Sequence, residues 1–286
     1  MNRRKMIQNM AGAAVITAAS PVNSILAGEG ETPLKGNIHH SVSRWCYDDI
    51  PFDEFAKACK EMGIESIELL GEKEWPSVKK AGLKCAVGYA TDLGIPKGFN
   101  RIANHDKLIT DFDTMIPKAA EAGVTNLICF SGNREGQNDN EGMVNCARGI
   151  RKIMPTAEKY GVTIIIELLN SYGHADYQCD KTTWGVALCE MVGSAKFKLL
   201  YDIYHMQIME GNIIETITKQ SKYIGHIHTG GVPGRNELDE TQELYYPAIM
   251  QALLKTGYNG YVGHEFVPAQ RDKLASLRKC VRICDV

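Results

Sequence analysis

A short pattern recurs along the chain: a helix with periodic apolar residues ends in a glycine, and a short β-rich run follows within a few residues. The clearest copies are AKACKEMGIESIELL from Ala56, VKKAGLKCAVGY from Val78, PKAAEAGVTNLICF from Pro117, PTAEKYGVTIIIELLN from Pro155 and LLKTGYNGYVGHEF from Leu253. One glycine in each copy stands where a left-handed helix cap is needed, a conformation that glycine adopts without a steric penalty. These glycines are Gly63, Gly82, Gly123, Gly161 and Gly257. The chain is therefore expected to alternate helix and strand throughout.

The β-rich runs are apolar on both faces, as in strands that are covered on each side by other elements. Eight strands are predicted at residues 38–43, 66–69, 84–88, 126–130, 163–167, 198–202, 224–228 and 261–265. Helices are predicted at residues 52–62, 76–81, 106–122, 141–160, 181–191, 212–220, 244–255 and 271–284. Such alternation favours a parallel sheet with right-handed crossovers, and eight strands favour closure into a single (β/α)8 TIM barrel. An open doubly wound sheet would need a glycine-rich turn after its first strand, and none follows Ser43.

Composition excludes several classes of protein. The 286 residues carry 32 Lys and Arg against 34 Asp and Glu, a net charge of −2. That balance gives no electrostatic footprint for nucleic acid or for an anionic membrane surface. No apolar run reaches the roughly 18 residues of a membrane span, so no membrane association is expected of the mature protein. The nine cysteines are scattered singly, which indicates core thiols rather than a disulfide framework.

The first 27 residues predict an export signal rather than part of the fold. Arg3, Arg4 and Lys5 form a charged head, residues 11–19 form a short apolar core, and the run ending at Ala27 resembles a cleavage site. The paired arginines followed by hydrophobic residues resemble a twin-arginine signal. We expect a signal at residues 1–27, a barrel at residues 36–286, and an exported or periplasmic protein. A cytoplasmic protein with a basic start is the alternative.

Acidic and imidazole groups stand at the carboxyl ends of the last four predicted strands. They are Glu167 in IIIELL, Asp202 in KLLYDIYH, His228 in IGHIHTGG and Glu265 in YVGHEF. In TIM barrels the chemistry lies at this end, where side chains from different units converge. Three carboxylates around one imidazole are most simply neutralised by one divalent ion, either Mg²⁺, Mn²⁺, Co²⁺ or Zn²⁺. For any residue alone, the alternative is a charge that caps a helix or pairs with Lys or Arg.

The segments IIIELLN, LLYDIYHMQ, GHIHTGGVPGR and GHEF resemble the hydroxypyruvate isomerase family within the xylose isomerase-like barrel superfamily. The similarity runs from about residue 38 to residue 266. It implies that Glu167, Asp202, His228 and Glu265 bind one divalent ion, and that the two glutamates also act as acid and base. His228 departs from this family, which usually has glutamine there, whereas related ketose 3-epimerases use histidine. The resemblance therefore leaves the exact substrate open.

The chemistry that such a site permits is proton transfer next to a carbonyl group. The ion would stabilise an enediolate formed from an α-hydroxycarbonyl substrate, and one glutamate would remove a proton that a glutamate returns. His205, one short turn beyond Asp202, is a candidate to bind a substrate oxygen or to orient Asp202. Arg235, in a Pro-Gly turn, is a candidate to grip a substrate carboxylate, with a solvated loop arginine as the alternative. Glu68 is a weaker candidate, either as a substrate contact or as the partner of a loop cation.

These observations predict a metal-dependent isomerase of the hydroxypyruvate and tartronate semialdehyde type, acting on a small hydroxycarbonyl acid. A ketose 3-epimerase or an aldose–ketose isomerase of free sugars uses the same chemistry and is the main alternative. An endonuclease-type barrel would need more histidine ligands and a basic groove, which the net charge disfavours. A non-catalytic sugar-binding barrel is disfavoured because both glutamates are present. A homo-oligomer is expected by resemblance alone.

Overall fold

The computed structural model describes residues 33–286, which contain one sheet of eight parallel strands. The strands are β1 His39–Ser43, β2 Ser66–Glu68, β3 Val87–Tyr89, β4 Asn126–Cys129, β5 Thr163–Glu167, β6 Phe197–Asp202, β7 Ile224–Thr229 and β8 Tyr261–His264. Their order is β2-β1-β8-β7-β6-β5-β4-β3, with every ladder parallel. This is the order of a barrel in which the ends of the sheet, β2 and β3, face each other.

The gap between β2 and β3 is bridged without a continuous ladder. Isolated parallel bridges join Ser66 to Lys84 and Leu70 to Gly88. In addition, the Leu69 N–H donates to the Val87 carbonyl oxygen at 2.8 Å. Leu69 has a φ of +58°, a left-handed conformation that interrupts regular pairing. The sheet is therefore a nearly closed barrel, and the predicted barrel fold is confirmed.

Helices separate the strands and surround the barrel. They are α1 Phe52–Glu61, α2 Trp75–Lys80, α3 His105–Ala122, α4 Asp139–Tyr160, α5 Thr182–Val192, α6 Ile203–Met209, α7 Ile213–Gln220, α8 Tyr246–Lys255 and α9 Lys273–Cys284. All five predicted glycine caps adopt positive φ values. Eight of these helices match predicted ones within a few residues. The ninth, α6, was not predicted as a helix, because its seven residues follow β6 directly and are capped only by the Asp202 side chain, which accepts from the His205 N–H.

The interior of the barrel divides into an apolar layer and a polar layer. The apolar layer is a small buried cluster, separate from the main core between sheet and helices, and consists of Leu69, Ala86, Val87, Ile128, Ile165 and Leu200. Ile165 and Leu200 stand two residues before Glu167 and Asp202, so each pair shares a strand face. The apolar layer therefore forms a floor beneath the polar strand ends.

The nine cysteines are all buried and free. Burial raises the pKa of several of these thiols, including Cys129 and Cys146, well above the ordinary range. The prediction of core thiols is confirmed. The predicted export signal lies outside the described residues and stays a prediction. Within residues 33–286, no helix combines the length and the apolar character needed to cross a membrane.

Candidate active site

Four predicted site residues meet at the carboxyl ends of β5 to β8. Glu167 ends β5, Asp202 ends β6, His228 lies near the end of β7, and Glu265 follows β8 by one residue. One potential ligand atom from each lies within 4.8 Å of those from the other three. Asp202 and His228 are fully buried, while Glu265 and Glu167 keep 4% and 6% of their surface exposed. Four residues separated by up to 98 positions in sequence thus form one cluster at the mouth of the barrel.

The imidazole of His228 faces the three carboxylates. Its Nδ1 atom lies 2.5 Å from Glu265 Oε2, 3.7 Å from Glu167 Oε1 and 3.9 Å from Asp202 Oδ2. Nδ1 is buried and, among the described residues, makes no contact with hydrogen-bond geometry. A buried ring nitrogen that faces three carboxylates without a well-aligned hydrogen bond to any of them has the chemistry of a metal ligand.

Arg235 lies directly against this cluster. Its Nη2 atom donates to Asp202 Oδ2 at 2.7 Å and to Glu265 Oε2 at 2.5 Å, and its Nε donates to the Glu265 carbonyl oxygen at 2.9 Å. The guanidinium also stacks over the rings of Tyr204 and Trp45, at 4.9 Å and 5.9 Å from their centroids. Arg235 has a φ of +57°, a left-handed conformation that a non-glycine residue rarely adopts. The alternative of a solvated loop arginine is therefore wrong, because the guanidinium is held at the strand ends.

The electrostatics separate the two glutamates. Burial, together with the charges of Glu265 and Asp202, raises the pKa of Glu167 to about 7, although the contact with His228 lowers it. Burial also opposes ionisation of Glu265, but the positive charges of His228 and Arg235 outweigh it and lower the pKa of Glu265 to about 2. Paired carboxyl groups whose environments push their pKa values apart are typical of acid/base sites.

His205 contacts both the cluster and the loop after β5. Its Nδ1 accepts a hydrogen bond from the Asn170 N–H at 3.0 Å, and its Nε2 lies 2.7 Å from Arg235 Nη1. Nε2 also lies 3.7 Å from Asp202 Oδ2. Burial lowers the pKa of His205 to about 4, so the ring is neutral at physiological pH. The structure thus gives His205 contacts that suit both of its predicted roles.

A cavity of about 320 Å³ opens above these residues. One side is apolar and is lined by Trp45, Leu69, Tyr89, Ile95, Ile128, Phe130 and Leu169. The other side is polar and is lined by Glu167, His174, His205, Arg235 and Glu265. The volume is at the lower end of the range for small-molecule sites, and it accommodates a small acid as well as a free sugar.

His174 is a cavity residue that sequence reasoning missed. It lies in the loop after β5, is about half buried, and packs its ring against that of His205 at 5.6 Å between centroids. Burial and the nearby Arg235 charge lower its pKa. A polar loop after a barrel strand was the only sequence signal, and many such loops carry histidines without a function.

Glu68 occupies a different place from either of the two predicted for it. It contacts neither the cavity nor a loop cation, because its side chain is fully buried inside the barrel. Glu68 Oε1 lies 3.0 Å from His226 Nε2 and 2.7 Å from His228 Nε2. His226 and His228 stand two residues apart on β7. Two residues along a strand share a face, so both rings point into the barrel.

The comparisons with known proteins agree with this architecture. The family model described as xylose isomerase-like TIM barrel matches residues 38–280. The 2-oxo-tetronate isomerase of Pectobacterium atrosepticum is 26% identical over 238 residues, which cover 78% of this chain and 88% of the relative. The 2-oxo-tetronate isomerase of Cupriavidus necator is 38% identical over 112 residues, 39% of this chain and 43% of the relative. The hydroxypyruvate isomerase of Escherichia coli is 34% identical over 110 residues, 38% of this chain and 42% of the relative.

The matches to the Cupriavidus and Escherichia relatives span less than half the length of those proteins. Two solved structures share the fold at lower identity. An AP endonuclease of family 2 from Brucella melitensis superposes with a TM-score of 0.75 at 23% identity, covering 84% of this chain and 97% of that one. A D-psicose 3-epimerase superposes with a TM-score of 0.70 at 17% identity, covering 86% and 96%. Since a family model covers most of the sequence and the barrel agrees with it, the chain belongs to the xylose isomerase-like TIM-barrel family.

Proposed function

We propose that this protein is a divalent-metal-dependent isomerase of small α-hydroxycarbonyl acids, of the hydroxypyruvate and 2-oxo-tetronate type. The observation that carries the proposal is the convergence of Glu167, Asp202, His228 and Glu265, with ligand atoms within 4.8 Å of one another. The relatives named as 2-oxo-tetronate and hydroxypyruvate isomerases support the reaction class.

The charges of the cluster fit a divalent ion. A histidine that binds a metal is neutral, so with His228 as a ligand the three carboxylates would face the Arg235 guanidinium and two negative charges would remain for the ion to balance. Without the ion, burial first and then the charges of Glu265 and Asp202 raise the pKa of Glu167. Three carboxylate oxygens and one imidazole nitrogen are a donor set that Mg²⁺, Mn²⁺, Co²⁺ and Zn²⁺ accept. An ion held by these four residues would act as a Lewis acid towards the carbonyl and hydroxyl oxygens of the substrate.

The proton transfers belong to the two glutamates. Glu167, with a pKa of about 7, exchanges a proton readily at neutral pH and suits transfer to and from the substrate carbon. Glu265 stays ionised, and Trp45 Nε1 and Arg235 Nη2 each donate to it at 2.5 Å. These bonds hold its carboxylate in one orientation next to the reacting carbons. The apolar wall on the other side of the cavity keeps water away from the intermediate.

Recognition of an acid is assigned to the polar side of the cavity. Arg235 provides a forked cation, and His205 adjoins it at 2.7 Å. His174 faces the same space, and none of the described residues hydrogen-bonds to its ring, so the ring is free to contact substrate. A carboxylated substrate of three or four carbons fits both the cavity volume and this charge.

The test is a panel of hydroxypyruvate, 2-oxo-tetronate and free ketoses, each assayed with Mg²⁺, Mn²⁺ and Co²⁺. Isomerisation of the acids with a kcat/KM well above that for any ketose supports the proposal. A preference for a free ketose with inversion at C3 would instead establish an epimerase, the candidate favoured by histidine at position 228. No turnover of any substrate with any ion would contradict both.

A further inference from the structure

Three buried polar residues form a cluster that shares one member, His228, with the candidate active site. Glu68 from β2 reaches across the barrel interior to His226 and His228 of β7. All three side chains are completely buried. Two strands, β1 and β8, separate β2 from β7 in the sheet, so this contact crosses the barrel rather than joining neighbours.

The geometry determines where the imidazole protons lie. Glu68 Oε1 accepts from His226 Nε2 at 3.0 Å and from His228 Nε2 at 2.7 Å. An ionised carboxylate only accepts, so both rings must carry hydrogen on Nε2. Among residues 33–286, the Glu68 carboxylate forms its ion pairs with these two rings. The Nδ1 atom of His228 is therefore the nitrogen that faces Glu167, Asp202 and Glu265.

The chain leaves space for this contact at Gly263 of β8. A Cβ atom at that position would lie 2.2 Å from Glu68 Oε1 and 2.8 Å from His228 Cδ2. Neither atom could stay where it is if residue 263 carried a side chain. The absence of a side chain at position 263 is thus a second, steric observation that β8 accommodates the Glu68–His228 hydrogen bond.

We propose that Glu68 is a positioning residue that holds His228 with Nε2 as donor and Nδ1 directed into the carboxylate cluster, and so sets the affinity of the cluster for a divalent ion. The affinity part rests on the metal site of the proposed function. A carboxylate that accepts from the outer nitrogen of a ligand histidine fixes its tautomer and ring orientation and increases its basicity. Loss of such a partner typically weakens metal binding by about 10- to 100-fold.

The experiment compares three variants of the full chain. Glu68→Gln keeps the size of the side chain but removes its charge. Gly263→Ala changes neither Glu68 nor any of the four candidate ligands in sequence, but its Cβ displaces the Glu68 carboxylate and crowds the His228 ring, so it breaks the contact from a third position. Glu237→Gln is the control, since Glu237 is also a buried glutamate that accepts several hydrogen bonds, from Ala269, Gln270 and Ser276, without touching the cluster.

Two measurements are made on each variant. The dissociation constant for Mn²⁺ is measured by titration calorimetry, with the melting temperature recorded beside it. We expect Glu68→Gln and Gly263→Ala to bind Mn²⁺ about 10- to 100-fold more weakly than the wild type, and Glu237→Gln to melt lower with unchanged affinity. Wild-type Mn²⁺ affinity in Glu68→Gln would overturn the inference and leave the proposed function standing.

The second measurement needs no metal. In ¹⁵N-histidine-labelled protein without metal, the His228 Nε2–H signal is assigned by its loss in His228→Gln, and its exchange with water is followed. We expect slow exchange in the wild type and in Glu237→Gln, and fast exchange in Glu68→Gln and Gly263→Ala. Equal exchange in all of them would overturn the positioning role. Slow, Glu68-dependent exchange in a wild type that binds no Mn²⁺ would support positioning and contradict the metal site.

Discussion

The mouth of the barrel has two unlike halves, although both are built from the same helix–strand unit. Strands β5 to β8 end in Glu167, Asp202, His228 and Glu265, which we call the charged half. The apolar wall lies at or just beyond the ends of strands β1 to β4 and consists of Trp45, Leu69, Tyr89, Ile128 and Phe130. The comparison shows that ionisable groups are concentrated on one side of the cavity, while the other side gives it an apolar surface. Charges act more strongly because the apolar wall lowers the local polarity.

Two contacts connect the halves. Trp45 Nε1 donates to Glu265 at 2.5 Å from the apolar wall, and Glu68 reaches His228 from beneath it. The apolar half therefore also orients members of the charged half. The predictions below test whether the division holds.

Chelation should have the largest effect. Exhaustive treatment with a chelator is expected to abolish isomerase activity, because the proposed dication would balance the carboxylates of the charged half and polarise the substrate. Activity is expected to return on addition of Mg²⁺, Mn²⁺ or Co²⁺, measured by initial rates. Full activity in protein shown by elemental analysis to be metal-free would remove the Lewis-acid role.

Glu167→Gln and Glu265→Gln should each reduce kcat by about 10² to 10⁴-fold, the range typical of general acid/base groups. Each glutamine keeps the size of the side chain but transfers no proton. Circular dichroism should show an unchanged fold. Phe130→Leu in the apolar wall is the matched control and should keep kcat within severalfold. Near wild-type turnover in either glutamine variant would contradict the acid/base assignment.

The charged half should also carry a pH-dependent cost in stability. Without metal, the pKa of Glu167 is raised from 4.5 to about 7, so the folded state binds this proton more tightly than the unfolded state. Stability is then lost as pH rises from about 4.5 through 7. Glu167→Gln should be more stable than the wild type at pH 8 by on the order of 3 kcal/mol, and not at pH 4.5. The difference in unfolding free energy between the variant and the wild type is measured by urea unfolding at both pH values in the presence of chelator. A difference that does not change with pH would count against the raised pKa.

Arg235→Ala should separate acidic from neutral substrates. All substrates are expected to lose rate, because the guanidinium also orients Asp202 and Glu265. Acids should lose a further ten- to hundredfold in kcat/KM, about the value of one charged hydrogen bond. Arg235→Lys keeps the positive charge but loses the forked geometry of the guanidinium. Its kcat/KM for acids should therefore lie between the values of the wild type and Arg235→Ala. Equal losses on hydroxypyruvate and on a neutral ketose would point away from carboxylate recognition.

Trp45→Phe should have a small effect and tests the link between the halves. The phenyl ring keeps the wall but removes the donor to Glu265, so kcat should fall by about tenfold or less. His174→Ala should raise KM and leave kcat nearly unchanged, because the ring adjoins the cavity without touching the cluster. Steady-state kinetics on one acid substrate separates the two parameters, and a kcat loss confined to His174→Ala would reverse the assignment.

Much of the fold could be predicted because it depends on local signals. For example, the glycine at position 161 identifies the end of α4, and the apolar run that follows it identifies β5 at Thr163–Glu167. Neither identification needs the rest of the chain. Helix α6 was not predicted because it has only seven residues, follows β6 without a loop and begins at the Asp202 side chain, which caps it. The gap between β2 and β3 escaped because it depends on how the two edges of the sheet meet.

The sequence by itself determined the alternation of helix and strand, and therefore which polar residues stand at strand ends, because backbone hydrogen bonding and side-chain periodicity are local. Only the tertiary structure decided that Glu68 lies against His228 and that Arg235 lies against Asp202 and Glu265. Those contacts join residues far apart in the chain. They depend on the register at which the sheet closes and on the space left at Gly263, which no local pattern specifies.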